Sequence, residues 1–290
     1  MDNPLRGIAL LVGATMFFSV SDAIAKFLGQ SLPVVEISWI RYLTFVVMAG
    51  GLVLRRGRRR LAVRSPWLQV ARGVGLVGSA LFFIEALKSM PLADAASVGF
   101  VSPLLITALS VPVLGEVVGM RRWLAILVGL LGVLVIVRPG TGAFQPAALF
   151  VLASSMSWAL ASVLTRKMAG TDDAATTLLY SAVTGFVLLC MALPFDFVWP
   201  TGREVALCLV LGVVASTGQY LMVLAYRHAG AALMAPFSYV QLIWSVSLGW
   251  LVFAALPDQW TMLGACIIVA SGLYTVHRER IRARERRAVA

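Results

Sequence analysis

Ten apolar runs, each near the length that crosses a bilayer, constrain this chain more than any other feature. They lie near residues 7–28, 33–54, 67–88, 91–114, 121–138, 146–167, 174–198, 203–226, 231–254 and 260–277. About 20 apolar residues in helical form cross roughly 30 Å of hydrocarbon. Backbone in that medium must satisfy its own hydrogen bonds, so runs of this length are helices. Barrel strands would alternate polar and apolar over about ten residues, and these runs do not. The separators are short and hold turn formers or charge, as in SMP, RPGTGAFQP, RKMAGTDD and ALPDQ. Of 290 residues, 60% are hydrophobic and 13% charged, so nothing is left over for a soluble domain. The expected class is an all-α integral membrane protein of ten transmembrane helices.

A net charge of +11 would suit a nucleic-acid binder, but the arginines sit in short runs between apolar segments. This is the positive-inside pattern, in which basic loops stay cytoplasmic beside anionic lipid. With the N-terminus inside, the inner side collects Arg6, six arginines between Arg55 and Arg64, Arg121, Arg122, Arg166, Lys167, Arg227 and six in the tail. The outer side holds Lys26, Lys88, Arg138 and Arg203. The bias is eighteen against four. Both termini are therefore expected in the cytoplasm and the chain in a bacterial inner membrane, with lipid rather than nucleic acid as its surroundings. The first run lacks a small-x-small cleavage site and carries Asp22 and Lys26 near its end, so it reads as a retained helix. Cys190, Cys208 and Cys266 lie within apolar stretches without metal spacing and read as packing residues.

The chain also repeats itself. At an offset of 140, Met16 falls on Met156, Phe18 on Trp158, Asp22 on Ser162 and Lys26 on Arg166; at 139, ALKSMPLADAAS (from Ala86) lies over AYRHAGAALMAP (from Ala225). Each half holds five runs, an odd number, so the second half must enter from the opposite face. The expectation is two inverted five-helix repeats, 1–139 and 140–278, around a central cavity, with 279–290 as a basic cytoplasmic tail. Inverted repeats are the architecture of alternating-access transporters, which bind substrate near the midplane.

Polar and aromatic groups within spans are costly and face a cavity or a partner helix. In the first run Thr15, Ser19, Asp22 and Lys26 are spaced 4, 3 and 4 apart and share a face. The sixth run repeats this with Ser155, Trp158, Ser162 and Arg166, and Trp158 lies midway along its span, away from the interfacial belt. It reads as cavity-lining, with packing as the alternative. Ser238 and Gln241 share a face of the ninth run with Met234 and Ser245; Gly99 and Ser102 hold the matching places in the fourth. The eighth run adds Gln219, the third Ser79 and Phe82, and Phe18 pairs with Trp158 by repeat. Together they describe a neutral, hydroxyl- and amide-bearing cavity with aromatic walls, suited to a small zwitterion or amphipathic metabolite. Asp22 and Lys26 read as an i,i+4 ion pair, structural or gating. Arg41 needs a partner that spacing does not name. No carboxylate lies plainly at mid-membrane, which favours facilitated movement over obligatory proton antiport. Gly129, Gly132 and the pair Gly50–Gly51 read as packing features. No nucleotide loop, zinc motif or catalytic triad is present, so an enzyme, a cofactor or a metal centre is not expected.

The stretch from Ala86 to Pro139 resembles the EamA module of the drug/metabolite transporter superfamily. It carries AL…MPLADAAS ahead of the fourth run, Pro103 within it, Leu114-Gly115-Glu116 at its end and a glycine-rich fifth run. The second half resembles the module too, with Ala254-Ala255 in place of Gly-Glu and Leu242 in place of the proline. This resemblance implies a basket in which helices 1, 3, 4, 6, 8 and 9 surround the cavity and helices 5 and 10 pack outside. It is most similar to bacterial amino-acid exporters of the YddG type, which implies export of neutral and aromatic amino acids and related metabolites, with Trp158 as an aromatic wall. Ten helices enclose a site within one chain, so a monomer is expected to suffice. The alternative is a carrier for another metabolite or for cationic drugs, possible with proton coupling; small multidrug relatives use a mid-membrane glutamate that is missing here.

Overall fold

The structure is a computed structural model that describes residues 4–56, 63–115, 118–139, 145–168, 174–228 and 237–289. Arg58, Arg59, Arg60, Glu116 and Met234 lie outside the described residues. Every regular element among the described residues is a helix, with no strand. The helices are α1 (Pro4–Leu28), α2 (Val34–Arg56), α3 (Pro66–Ser89), α4 (Leu92–Gly99), α5 (Ser102–Leu114), α6 (Met120–Val137), α7 (Ala147–Lys167), α8 (Ala174–Ala192), α9 (Gly202–His228), α10 (Val240–Phe253) and α11 (Gln259–Val289). Helices α4 and α5 form a single span, Leu92–Leu114, one of seven segments long and apolar enough to cross a membrane; Trp123–Val137 and Val240–Phe253 are shorter apolar helices. The chain is a multi-pass membrane protein.

Three boundaries depart from the hydropathy pattern. The fourth run is two helices rather than one, broken at Phe100 and Val101 ahead of Pro103. The seventh stops at Ala192 instead of 198: a 3₁₀ turn, Leu193–Phe195, follows, and the segment to Thr201 is not helical. Pro194 and Pro200 supply no N–H to continue the ladder. The tenth helix runs on through the basic tail to Val289.

Gly115 ends α5 in the left-handed region, φ +70°, where glycine has no Cβ to clash. Ala254, 139 residues later, ends α10 at φ +51° with the same wrap: its N–H donates to Trp250 O (2.9 Å) and that of Ala255 to Gly249 O (3.0 Å). The second half keeps the turn after losing the glycine, at a cost of about 1 kcal/mol.

The main helix contacts are α3 on α7, α1 on α9, α2 on α8, α6 on α11, α5 on α7, α1 on α10, α2 on α9, α3 on α8 and α4 on α10. Small residues permit the closest of them. A Cβ on Gly73 would lie 2.7 Å from Thr184 Cβ, and one on Gly212 2.7 Å from Thr44 Cβ. Gly132 and Gly264 bring the backbones of α6 and α11 together, and Gly129 fits Leu104. Gly50 and Gly51 are a correction: a Cβ there would meet nothing within 4 Å, so they do not mediate packing.

The bundle has two ends. The proximal end carries the start of α1; the distal end carries the α1–α2, α3–α4, α6–α7, α8–α9 and α10–α11 connections. The distal end holds much of the largest apolar cluster among the described residues, with Leu87, Met90, Leu92, Ala148 and Val151 in it and Phe83, Leu248 and Phe253 against it. Leu92 to Val98 of α4 are all buried, whereas in α5 only Leu104 and Ser110 are, and in α10 only Ser245 and Gly249.

Candidate functional site

The break between α4 and α5 is the chemical centre of the fold. Pro103 has no N–H, so the carbonyl of Gly99, four residues back, loses its helical donor. Two hydroxyls replace it: Ser102 Oγ donates at 2.6 Å, and Ser155 Oγ reaches across from α7 at 3.5 Å. Beside this carbonyl Phe100 meets Tyr239, ring centroids 5.0 Å apart and tilted 43°. Tyr239 occupies a turn immediately before α10 and is the residue 139 after Phe100. Its hydroxyl lies so close to α11 that only a glycine fits at 272. On the other flank Ser19, fully buried on α1, lies 3.3 Å from Gln241 O, to which it donates, and 3.2 Å from Ser245 Oγ. Each broken or turn-led span is thus held at its middle by a serine from α7 or α1.

The sequence-predicted residues divide around this centre. Ser102 and Ser155 converge on it as described, whereas Gln241 contributes its backbone carbonyl, as acceptor for Ser19, on the other flank. Phe18 is half-buried and packs its ring on α9, where a Cβ at Gly218 would stand 3.1 Å from Phe18 Cε1. Trp158, Gln219 and Ser238 are half-buried, and the Trp158 carbonyl accepts from Ser162 Oγ at 2.8 Å. Ser79 is drawn into the α3–α7 seam, 3.1 Å from Ser154 Oγ, with Ser154 also donating to its carbonyl. Phe82 stacks on Phe150, centroids 6.4 Å apart.

Asp22 and Lys26 do not pair with each other. The Lys26 ammonium donates to Leu87 O and Met90 O, both at 2.7 Å, closing the C-terminus of α3, and it sits 5.5 Å from the Phe253 ring centroid. The last carbonyls of a helix have no donor within it, and the ammonium supplies one. Asp22 instead lies within the electrostatic field of Arg41 on α2. Glu85 and Lys88 do pair, at 3.3 Å.

Sequence reasoning passed over three buried polar groups. Arg72, in the apolar third run, donates Nε to Thr165 Oγ1 (2.6 Å) and Nη1 to Thr177 O (3.3 Å), tying α3, α7 and α8 together near the proximal end. Glu36 accepts the Val198 N–H at 3.2 Å and anchors the segment after α8. Asp94, inside the MPLADAAS motif, is 7% exposed at the distal end. A charge inside a 20-residue apolar run was the available signal for all three. Nearby, Arg138 and Asp258 form an ion pair between the end of α6 and the start of α11. Burial acts to raise the Asp258 pKa, but the Thr261 N–H at 2.8 Å and the Arg138 guanidinium outweigh it and hold the carboxyl below its usual range.

A protein-family model, the EamA-like transporter family, matches residues 5–138 and again 145–276. The chain belongs to the EamA-like transporter family. Among curated relatives of this EamA-like chain, the S-adenosylmethionine uptake transporter of Rickettsia prowazekii is 28% identical over 277 residues, 95% of this chain and 94% of that one. The riboflavin transporter of Vibrio cholerae is 29% identical over 296 residues (99% and 98%), and the pseudopaline exporter CntI of Pseudomonas aeruginosa 30% over 273 (93% and 96%). A protein of known crystal structure superposes with a TM-score of 0.63 at 25% identity, covering 94% of this chain and 98% of its own. The EamA-like chain is a transporter of small metabolites and not an enzyme.

Proposed function

We propose that this transporter carries α-amino acids and close derivatives, neutral and aromatic ones foremost, out of the cell by alternating access. The carrying observation is the helix break: a carbonyl freed by Pro103 in mid-span, reached by hydroxyls from two helices and flanked by aromatic rings. An ammonium group can take the carbonyl as acceptor, and the rings and Trp158 receive an apolar or aromatic side chain. S-adenosylmethionine, named for one relative, is itself an amino-acid derivative with a ring system. Phe18, Trp158, Gln219, Ser238 and Gln241 complete the proposed lining, with Ser79 and Phe82 behind α3.

Rocking of two inverted halves, 1–139 and 140–278, supplies the motion. Exchanging α1 with α7, α2 with α8, α3 with α9, α4–α5 with α10 and α6 with α11 turns the main helix contacts into one another, which supports that reading. So do Gly73 on Thr184 and Gly212 on Thr44, the same contact at offsets of 139 and 140. One chain encloses the site and acts as a monomer, and the basic bias places the proximal end and both termini in the cytoplasm of an inner-membrane protein. The buried distal half of α4 beside the half-exposed α5 then corresponds to a state closed to the outside.

A second reading has an observation of its own: relatives named for riboflavin and for S-adenosylmethionine uptake favour a larger ring-bearing metabolite moving inward. Flux of labelled threonine, methionine, phenylalanine, S-adenosylmethionine and riboflavin into proteoliposomes separates the two. Amino-acid flux that falls several-fold in Trp158→Ala supports the first reading. Flux of riboflavin alone, from folded protein, overturns it.

A further inference from the structure

We propose that Asp94 is a proton-binding site whose occupancy is linked to closure of the distal end, so that distal protons hold the transporter shut on that side. The inference rests on the alternating-access reading but not on the identity of the substrate.

Asp94 stands in the first turn of α4, 7% exposed, between the cluster residues Leu92 and Ala95. It faces the second half of the chain: Gln145, just before α7, and Thr261, in the first turn of α11. The charged groups around it are Lys26 from α1, Arg138 from the end of α6, and Asp258 from the α10–α11 connection. Lys26 is committed to the carbonyls of Leu87 and Met90, and Arg138 pairs with Asp258, its field reaching Asp94 more weakly than that of Asp258. The remaining charge, Asp258, repels a second carboxylate.

One oxygen of the carboxylate is left without a donor. Asp94 Oδ1 is buried with no hydrogen-bond partner, as are the neighbouring Gln145 Oε1 and Thr261 Oγ1, Thr261 being 1% exposed. An ionised carboxylate is an acceptor only, so that oxygen stays unmatched, whereas the neutral acid brings one O–H donor, which the Gln145 amide oxygen can accept. A carboxylate oxygen buried with no donor is among the most costly groups a protein can hold. One proton, taken by the carboxylate from water on the distal side, removes both problems. When the two halves part there, Gln145 and Thr261 move away with the second half and water reaches Asp94, so the ion is favoured and the proton returns to the distal compartment. The closed state therefore binds one more proton than the open state, and acid on the distal side favours closure.

The test needs no substrate. In a full-length chain with Cys190, Cys208 and Cys266 replaced, Ala148→Cys places a reporter in the distal core, where Ala148 is wholly buried, and Ser89→Cys serves as an exposed control in a separate chain. Reconstituted vesicles are treated on the distal side with an impermeant maleimide across a range of pH. The ratio of the two labelling rates, which cancels the intrinsic reactivity of the thiol, is expected to rise roughly tenfold from about pH 5.5 to 8.5. In Asp94→Asn, which mimics the neutral acid, the ratio stays low and flat; Asp94→Glu restores the rise and also serves if the asparagine variant does not fold. A ratio independent of pH, or the same rise in Asp94→Asn, overturns the proposal. So does a response to sodium at fixed pH without a response to pH, which would make the site one for a metal cation. Failure of amino-acid flux would leave this result untouched, so the two readings fail separately.

Discussion

Replacing Gly132 and Gly264 by alanine, singly and together, tests the closest backbone contact in the bundle. A Cβ on Gly132 would stand 2.9 Å from Gly264 O and 2.9 Å from Ile268 Cγ1; a Cβ on Gly264 would stand 2.6 Å from Gly132 O. Carbon and oxygen need about 3.3 Å, so α6 and α11 must separate by roughly half an ångström over several side-chain contacts, which costs about 1–3 kcal/mol per substitution. Alanine also gains about 0.8–1.0 kcal/mol of helix propensity, which must be removed from the reading. Gly50→Ala does so, because a Cβ there meets nothing within 4 Å and reports propensity alone. Equilibrium unfolding in mixed micelles, followed by far-ultraviolet circular dichroism, is the assay. Each glycine variant should fall about 1–3 kcal/mol below Gly50→Ala. The double variant should lose less than the sum, by about 0.5–2 kcal/mol, because the first Cβ already opens the gap that the second needs. Strict additivity, or two variants indistinguishable from the control, would refute this packing of the fifth and tenth spans.

Four further outcomes are expected. Ala254→Gly should stabilise the protein by up to about 1 kcal/mol in the same assay, since φ +51° suits glycine, while Gly115→Ala should destabilise it by a similar amount. Asp258→Asn should cost no more than about 1 kcal/mol near neutral pH, because the pair is partly exposed. The sign follows from the lowered pKa: the contribution is present above the ordinary value of 3.8 and is lost as pH falls through the lower folded value, so wild type and variant converge in acid rather than in base. Pro103→Ala returns a donor to Gly99 O and should keep or raise stability while slowing flux several-fold; unchanged flux would remove the break from the mechanism. A reporter active only in the periplasm should work when fused at Gly142 and stay silent at Gly57, and the reverse would invert the proposed orientation.

How much of this was legible beforehand depends on whether the property is local. Hydropathy located the spans because lipid imposes its demand on each helix separately, and a run such as 146–167 differs by one residue at its start from α7. The repeat was read from Phe18 and Trp158 and from the motif around Ala86; the family model matches the chain twice, at 5–138 and 145–276. Even Pro103 was readable as a residue, though not the consequence that Ser155 on α7 would take up the carbonyl it frees.

What needed the tertiary structure was the choice of partner. Spacing put Asp22 and Lys26 on one face, and on an isolated helix they would pair. In the bundle Lys26 meets two carbonyls at the end of α3 and Asp22 meets the field of Arg41, because contacts between spans replace solvent as the alternative. Gly50–Gly51 and Gly129–Gly132 look alike in sequence, yet one pair faces open space and the other facing helices. Asp94 was one acidic letter in a motif until α7 and α11 closed over it. The chain alone determined an all-helical membrane protein, since the demand for apolar helices follows from the free energy of each segment by itself. Which polar group answers which, and where the accounting is left one proton short, was decided only when helices distant in sequence came within a few ångströms of each other.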